Sequence, residues 1–449
     1  MTPKQTVATD PELFRSRLDQ IINMDRPLIR AASKIDWDAF EREFGPLYHE
    51  SQGRPGLPTR LMVGLTYLSR MYDLSDEAVV ERWLDNPYWQ FICGFEYFQH
   101  NFPLDPSSLV RWRKRIGEPG VEFLLKQTVE AAKRAGKLNK RDMAKVNVDT
   151  TVQEKAIRFP TDARLYHRMI ERLVKLAKAQ GLPLRQSYKR VSKKALLKQS
   201  RYAQARQMKR ARRETKKLKT MLGRVYRDIR RKTPLPDAEL TEYLGRAERL
   251  LAQQRTDKNK LYSVHEPDVE CIAKGKAHKR FEFGCKVGIV TTSRRNWVIG
   301  AQAFHGNPYD GHTLAASLEQ AERLTGWTAG AAYADLGYRG HGYEGETSVQ
   351  VVDHRKKRVS KSEKRWRKRR AAIEPVIGHL KSDHRMLRNM LKGKEGDILN
   401  AMLAGCGFNL RKLVRIALRL LWKWLFQPLS QQKPTICLRL DEQQLVHAA

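Results

Sequence analysis

Lys145-Val146-Asn147-Val148-Asp149-Thr150-Thr151-Val152 decides the fold class. β-Branched residues alternate here with a period of two, which predicts a strand with two distinct faces. Asp149 is its anomaly. Aspartate is disfavoured in strands, so a carboxylate at this place either caps a turn or is a functional group held on a rigid element. Taken by itself the strand favours the cap, and the flanking sequence has to decide.

Upstream, from about Leu13 to Leu125, the pattern is helical. The turn Arg54-Pro55-Gly56-Leu57-Pro58-Thr59 leads into Leu61, Leu65, Leu68 and Tyr72 at helical spacing, and Ser75-Asp76-Glu77 caps a second helix. Asp105-Pro106-Ser107-Ser108 opens a third, made basic and aromatic by Arg111, Trp112, Arg113, Lys114 and Arg115. An all-α domain over 1–130 fits a helix-turn-helix-like DNA reader with Arg111 and Arg113 toward the nucleic acid, and it fits an ordinary helical bundle equally.

Downstream, 162–260 reads as long helices broken near Gly181-Leu182-Pro183 and Pro234-Leu235-Pro236. Residues 185–232 hold twenty Lys or Arg against Glu214 and Asp228, a net +18. Such a charge is hard to keep beside anything but phosphates. Two strands follow, Phe281 to Val290 and Trp297 to Phe304, around a Thr-Ser-Arg-Arg-Asn turn. Asp310-Gly311-His312-Thr313 opens a helix, and Gly330-Ala331-Ala332-Tyr333-Ala334 is a short buried strand that ends at Asp335. A glycine-rich loop (Leu336-Gly337-Tyr338-Arg339-Gly340) and a last strand near Gln350-Val351-Val352 complete a mixed α/β sheet domain over 140–395. An apolar helix over 396–427 is expected to pack on that core, and an irregular tail over 428–449 ends the chain.

The second unusual stretch is Arg367-Lys368-Arg369-Arg370-Ala371-Ala372-Ile373-Glu374-Pro375-Val376-Ile377-Gly378-His379-Leu380-Lys381. On one continuous helix Arg367, Arg370, Glu374 and Lys381 share a narrow sector, so a single carboxylate stands among cations. Pro375 forbids the bond back to Ala371 and predicts a kink or restart there. Either this is a solvated basic helix or Glu374 is a metal ligand beside DNA phosphates. Asp149 and Asp335 on neighbouring strands with Glu374 leaning over them would gather three carboxylates that repel unless cations sit among them. Hard oxygen ligands of this kind suit Mg²⁺ or Mn²⁺, and two such ions could run an in-line displacement at phosphorus.

Composition narrows the classes. The chain has 449 residues, 41% apolar and 30% charged, enough for two or three folded domains. A net charge of +37 and a pI near 10.2 call for a polyanionic partner, nucleic acid first and an anionic membrane surface second. The most apolar run, Ile416 to Phe426, is short and interrupted by Arg419 and Lys423, which argues against a membrane span. The start lacks a signal-peptide pattern, so a cytoplasmic protein is expected. Five scattered cysteines without a CxxC pair suggest buried thiols.

These motifs, in this order, resemble the DDE transposases of bacterial insertion sequences, in the superfamily with a Tyr-x2-Arg-x3-Glu-x6-Lys signature. Arg370-x3-Glu374-x6-Lys381 matches its last three positions, while the first falls on Arg367. Asp149-Thr150-Thr151-Val152 with Arg158-Phe159-Pro160-Thr161-Asp162 looks like the first-acid block, and Ala334-Asp335-Leu336-Gly337-Tyr338-Arg339-Gly340 like the second. His305 to Leu314, Glu270 to His278 and the helical region to about Leu125 are also similar to family sequence. The resemblance implies a ribonuclease-H-like core with the basic insertion between its first two strands. It implies Asp149, Asp335 and Glu374 as catalytic, metal-binding residues, and Arg370, Lys381, Arg367 and Arg339 as DNA contacts. Tyr338 would stand behind the acids, and His305 and His312 either approach them or are satisfied in their own turns. Two Mg²⁺ or Mn²⁺ ions per site, double-stranded DNA as partner and a homodimer on paired ends follow from the same resemblance, with a nucleoid-associated location in a bacterial cell. The activity implied is cleavage of terminal inverted repeats and transfer of the 3′-OH ends to target DNA. A nuclease that cuts without joining and a non-catalytic nucleic-acid-binding protein are the rival readings.

Overall fold

The computed structural model describes residues 16–48, 55–233, 235–254, 256–273, 280–353 and 360–425, so the tail read over 428–449, part of the Glu270 to His278 block and Arg54 lie outside the described residues. The chain begins with α1 (Leu18–Ile21), α2 (Pro27–Ala32), α3 (Trp37–Phe44), α4 (Thr59–Met71), α5 (Asp76–Leu84), α6 (Pro87–Ile92) and α7 (Ser107–Arg134), and then enters the sheet with β1 (Lys145–Glu154). An insertion of α8 (Asp162–Ala179), α9 (Lys189–Gln204), α10 (Met208–Lys232) and α11 (Ala238–Ala252) precedes β2 (Glu270–Ala273), β3 (Phe281–Thr292) and β4 (Val298–Phe304). The remainder is α12 (Leu314–Thr325), β5 (Ala331–Ala334), β6 (Ser348–Val351), α13 (Lys361–Arg370), α14 (Ile373–Asp383) and α15 (Gly393–Leu425).

β1 lies at the heart of the sheet, whose order is β2-β3-β1-β5-β6 with β4 also paired to β3. It runs antiparallel to β3, with Asp149 opposite Ile289, and parallel to β5, with Asn147 opposite Tyr333. The mixed helix and sheet architecture is consistent with the ribonuclease-H-like core. Side chains alternate across the sheet, and both faces are covered. Val146, Val148 and Val290 pack with Leu314 and Leu318 of α12 on one side, while Val287 and Ile289 join Leu380 of α14 and Met402 of α15 on the other. Gly288 is what lets α12 approach so closely, because a Cβ there would stand 2.7 Å from Ser317 Oγ.

The N-terminal helices are part of this packing. Phe40, Phe44, Leu65 and Trp112 belong to the same apolar cluster as Val287, Leu380 and Met402. Each fully buried large apolar side chain of this kind contributes about 1.5–3 kcal/mol. Polar contacts stitch the same junction: the buried Arg70 of α4 donates to Asn400 of α15 at 2.6 Å, and His384 Nδ1 stands 2.8 Å from the Arg70 carbonyl. Gly117, at φ +57°, bends α7 just ahead of Pro119.

The insertion has a core of its own. Leu218, Leu222, Val225 and Ile229 recur at steps of four, three and four along α10 and pack with Leu173 of α8 and Leu240 of α11. The outer side of α10 exposes Arg212, Arg213, Lys216 and Lys217. Among the described residues no helix is long and apolar enough to cross a membrane.

Candidate active site

Two strand ends and one helix start build the site. Asn147 and Tyr333 are paired in parallel register, so the residues two further along each strand, Asp149 and Asp335, emerge side by side. Asp149 still belongs to β1, where its Oδ1 accepts the Thr150 N–H at 2.8 Å. Asp335 follows the last residue of β5, and its Oδ1 accepts the Gly337 N–H at 2.9 Å, which turns the chain sharply.

Glu374 arrives from α14. The break predicted near Pro375 is a restart: α13 stops at Arg370, and α14 begins at Ile373, placing Pro375 at its third position, where the missing N–H costs nothing. The end of α13 is stapled to the sheet. Asn147 Nδ2 donates to the Arg369 carbonyl at 3.1 Å, the Arg369 guanidinium donates to the Ser293 carbonyl, and Lys145 Nζ lies 4.3 Å from the Trp366 ring centroid. These contacts fix the place from which Arg370 reaches inward.

Arg370 is the hub. Its Nη2 donates to Asp149 Oδ2 at 2.9 Å and lies 3.5 Å from Asp335 Oδ2, and its Nη1 donates to Glu374 Oε1 at 3.3 Å. Because one nitrogen touches both aspartates, their Oδ2 atoms are no further apart than those two distances laid end to end. Exposure rises from Asp149 (15%) through Asp335 (45%) to Glu374 (64%), so one acid is anchored and two face outward. Three carboxylates around one guanidinium leave an excess of two negative charges, an arrangement that favours further cations. Among the described residues no set of three His, Cys, Asp or Glu side chains is already closed around a metal-sized space. The chemistry of the donors is that of a hard divalent ion, since the three acids offer oxygen ligands only and share one cation, Arg370.

A fourth acid that the sequence reading treated only as a helix opener lies beside them. Asp310 Oδ1 accepts the Thr150 hydroxyl at 2.8 Å and pairs with Lys286 Nζ at 2.8 Å. Lys286 also donates to the Pro308 carbonyl at 2.5 Å. A Cβ on Gly337 would stand 2.9 Å from Asp335 Oδ1 and 3.2 Å from Asp310 Oδ2, so this position has no room for a side chain. Behind them Tyr338 is fully buried, and burial followed by the charges of Asp149 and Asp310 pushes its phenol up. The signal for Asp310 was Lys286, a lysine in the middle of an apolar strand, which needs a partner.

The other expected residues are spread around this centre. Lys381 is partly buried on α14, seven residues past Glu374 and so about 10 Å along the helix. Arg367 pairs with Glu363 at 2.5 Å and donates to the Asp353 carbonyl, while Arg339 is largely exposed and lies 3.4 Å from Asp353. Arg111 is exposed on α7. Arg113 points inward, with both terminal nitrogens on Asp76, because an inward-facing guanidinium on α7 requires an acid. His312 is exposed beside Tyr309. His305 stands apart from the acids, 3.7 Å from Glu270 and 3.9 Å from Asp397.

Two blocks of the chain match family models of known proteins. Residues 16–115 match the family model described as Transposase domain (DUF772), and residues 254–410 match the one described as Transposase DDE domain. A protein of Rhizobium meliloti, described as uncharacterized protein ORF8 in the nfe locus, is 53% identical over 207 residues, which cover 46% of this chain and 100% of that protein. No solved structure matches.

Proposed function

Since this chain belongs to the DDE-type insertion-sequence transposases, we propose that Asp149, Asp335 and Glu374 form its catalytic centre, which cuts the ends of its own element and joins their 3′-OH groups to target DNA. The observation that carries this reading is the convergence of the three carboxylates, drawn from two strands and a helix, on the single guanidinium of Arg370.

Divalent ions such as Mg²⁺ or Mn²⁺, held by those three acids, would supply Lewis-acid activation and charge neutralisation at phosphorus. The chain's own side chains do the remainder. Asp149 is anchored by Arg370 and by the Thr150 N–H, which holds its carboxylate at a fixed height above the sheet. In this reading Lys381 and Arg339 would pair with phosphates on either side of the scissile bond, and Arg367 with the flanking backbone. Pairing Lys286 with Asp310 keeps a fourth negative charge from crowding the substrate. Attack by water frees a 3′-OH end, and attack by that 3′-OH on a target phosphate expels a second 3′ oxygen. No covalent protein intermediate is required.

Two ends must be held together before joining, so a homodimer on double-stranded DNA is part of the proposal, as are a nucleoid location and a DNA-reading role for the N-terminal helices through Arg111. Paired-end oligonucleotides with Mg²⁺ test it. Joined products support the proposal, nicks without joining would assign a nuclease, and binding without either would assign a non-catalytic DNA-binding protein.

A further inference from the structure

A cavity of about 520 Å³ opens where the basic insertion leaves the sheet, between the segment after β1, helices α8 and α9, and the loop after α14. Its rim carries Phe159, a large ring that is 60% exposed. That ring is not loose: it meets Phe283 edge-on at 5.4 Å, and Phe283 in turn packs on Tyr262 at 5.4 Å. Arg164 donates to the Phe159 carbonyl at 3.0 Å, fixing the backbone beneath it. One face of a rigid aromatic is therefore offered to solvent.

Around this ring the charge is almost wholly of one sign. Arg158, Arg164, Arg168, Lys193 and Arg388 line the cavity, and each is exposed. The one acid lining it, Glu171, is engaged by Arg168 at 3.0 Å and by His167 at 3.4 Å. A polyanion with flat apolar faces satisfies both halves of such a surface. Inside a duplex both faces of a base are covered by its neighbours, so a base stacked on Phe159 is one freed from that stack. The cations come from separate elements, the segment after β1, α8, α9 and the loop after α14, which suits a strand that continues past the cavity rather than a free mononucleotide. Arg388 follows α14, the helix that carries Glu374 at its start, so a strand leaving the acids along α14 would reach this rim.

We propose that this cavity binds unpaired DNA, with a base stacked on Phe159 and the flanking phosphates on Arg158, Arg164, Arg168 and Arg388. The assignment rests on the transposase reading in that the strand bound is DNA next to the reaction centre.

The test uses the full chain in EDTA, so that binding is separated from chemistry, and a single-stranded oligonucleotide containing 2-aminopurine. Wild-type protein should bind it with quenched 2-aminopurine emission. Phe159→Ala should weaken binding roughly tenfold or more, within the range of one base–aromatic stack, and lose the quench. Phe159→Trp should restore both, and Asp149→Asn should leave both unchanged. Since Phe159 is mostly exposed, the Ala variant should melt with the wild type. Wild-type affinity and quenching in Phe159→Ala, or equal competition by a free deoxynucleoside monophosphate, would overturn the assignment while leaving end joining untouched. Loss of joining with strand binding intact would instead count against the catalytic reading.

Discussion

Replacing Arg370 with alanine removes the only cation that touches all three acids among the described residues, and the structure sets the size of the effect. The Asp149 pair is the buried one, at 2.9 Å with side chains 10% and 15% exposed. Breaking a buried pair by deleting one partner costs about 3–5 kcal/mol, because the remaining charge is stranded. The Asp335 and Glu374 pairs are longer and roughly half exposed or more, so each adds at most about 1 kcal/mol after solvent screening. In EDTA, R370A should therefore lose about 3–5 kcal/mol, nearly all of it through Asp149. Saturating Mg²⁺ supplies the charge that the guanidinium supplied, so the gap should shrink by roughly half or more, by mass action on the folded state. Urea unfolding with and without Mg²⁺ reads both quantities. The added change D149N should return part of the loss, as neighbours in one charge network are coupled by about 1–3 kcal/mol. A gap below about 0.5 kcal/mol in EDTA, the size of an ordinary surface substitution, would refute the reasoning, and so would a gap that Mg²⁺ leaves unchanged.

Other expectations follow from neighbouring contacts. G337A, whose new methyl would press on Asp335 and Asp310, should cost about 1–3 kcal/mol and weaken Mn²⁺ binding measured by electron paramagnetic resonance; unchanged binding would exclude the crowding. K286M strands Asp310 beside the triad, so it should be less stable than the double variant K286M/D310N, and equal stability of the two would remove the pair from the account. His384 is pushed down to about 4 by burial, against an ordinary 6.5. Because the unfolded chain takes up that proton first, its contribution to stability is complete above pH 6.5 and declines as pH falls toward 4, by at most about 1.4 kcal/mol per unit. H384N, which keeps a donor toward the Arg70 carbonyl, should flatten that slope between pH 6.5 and 4, and a profile identical to wild type would exclude His384 as its source.

Local features of the chain were readable because local rules govern them. The alternation around Asp149 marked β1, the proline at 375 marked the helix restart, and the apolar steps of α10 marked a helix with one wet face. Glu374 four residues after Arg370 also announced their ion pair. The Arg370 to Asp149 bond was not readable, since it joins residues 221 apart and no periodicity encodes it. Asp310 was hidden for a related reason. An Asp before a helix start has a sufficient local explanation as a cap, and only the sheet register that brings Lys286 and Thr150 to it gives it a second one. Arg113 looked like its neighbour Arg111 because charge alone does not say which side of a helix faces Asp76. The four-residue β2 carries too few residues for a period to show, and its pairing to β3 is what makes it a strand.

If Asp149, Asp335 and Glu374 hold cations in common, as proposed, a redox-active ion bound there will mark all three segments at once. Fe²⁺ exchanged into the metal-free protein, with ascorbate and peroxide, cuts the backbone only near where it binds. Cuts clustered together near 149, 335 and 374, all suppressed by excess Mg²⁺ and all lost in D149N, are the result expected. Cutting confined to one of those segments, or a pattern that D149N leaves intact, would contradict it.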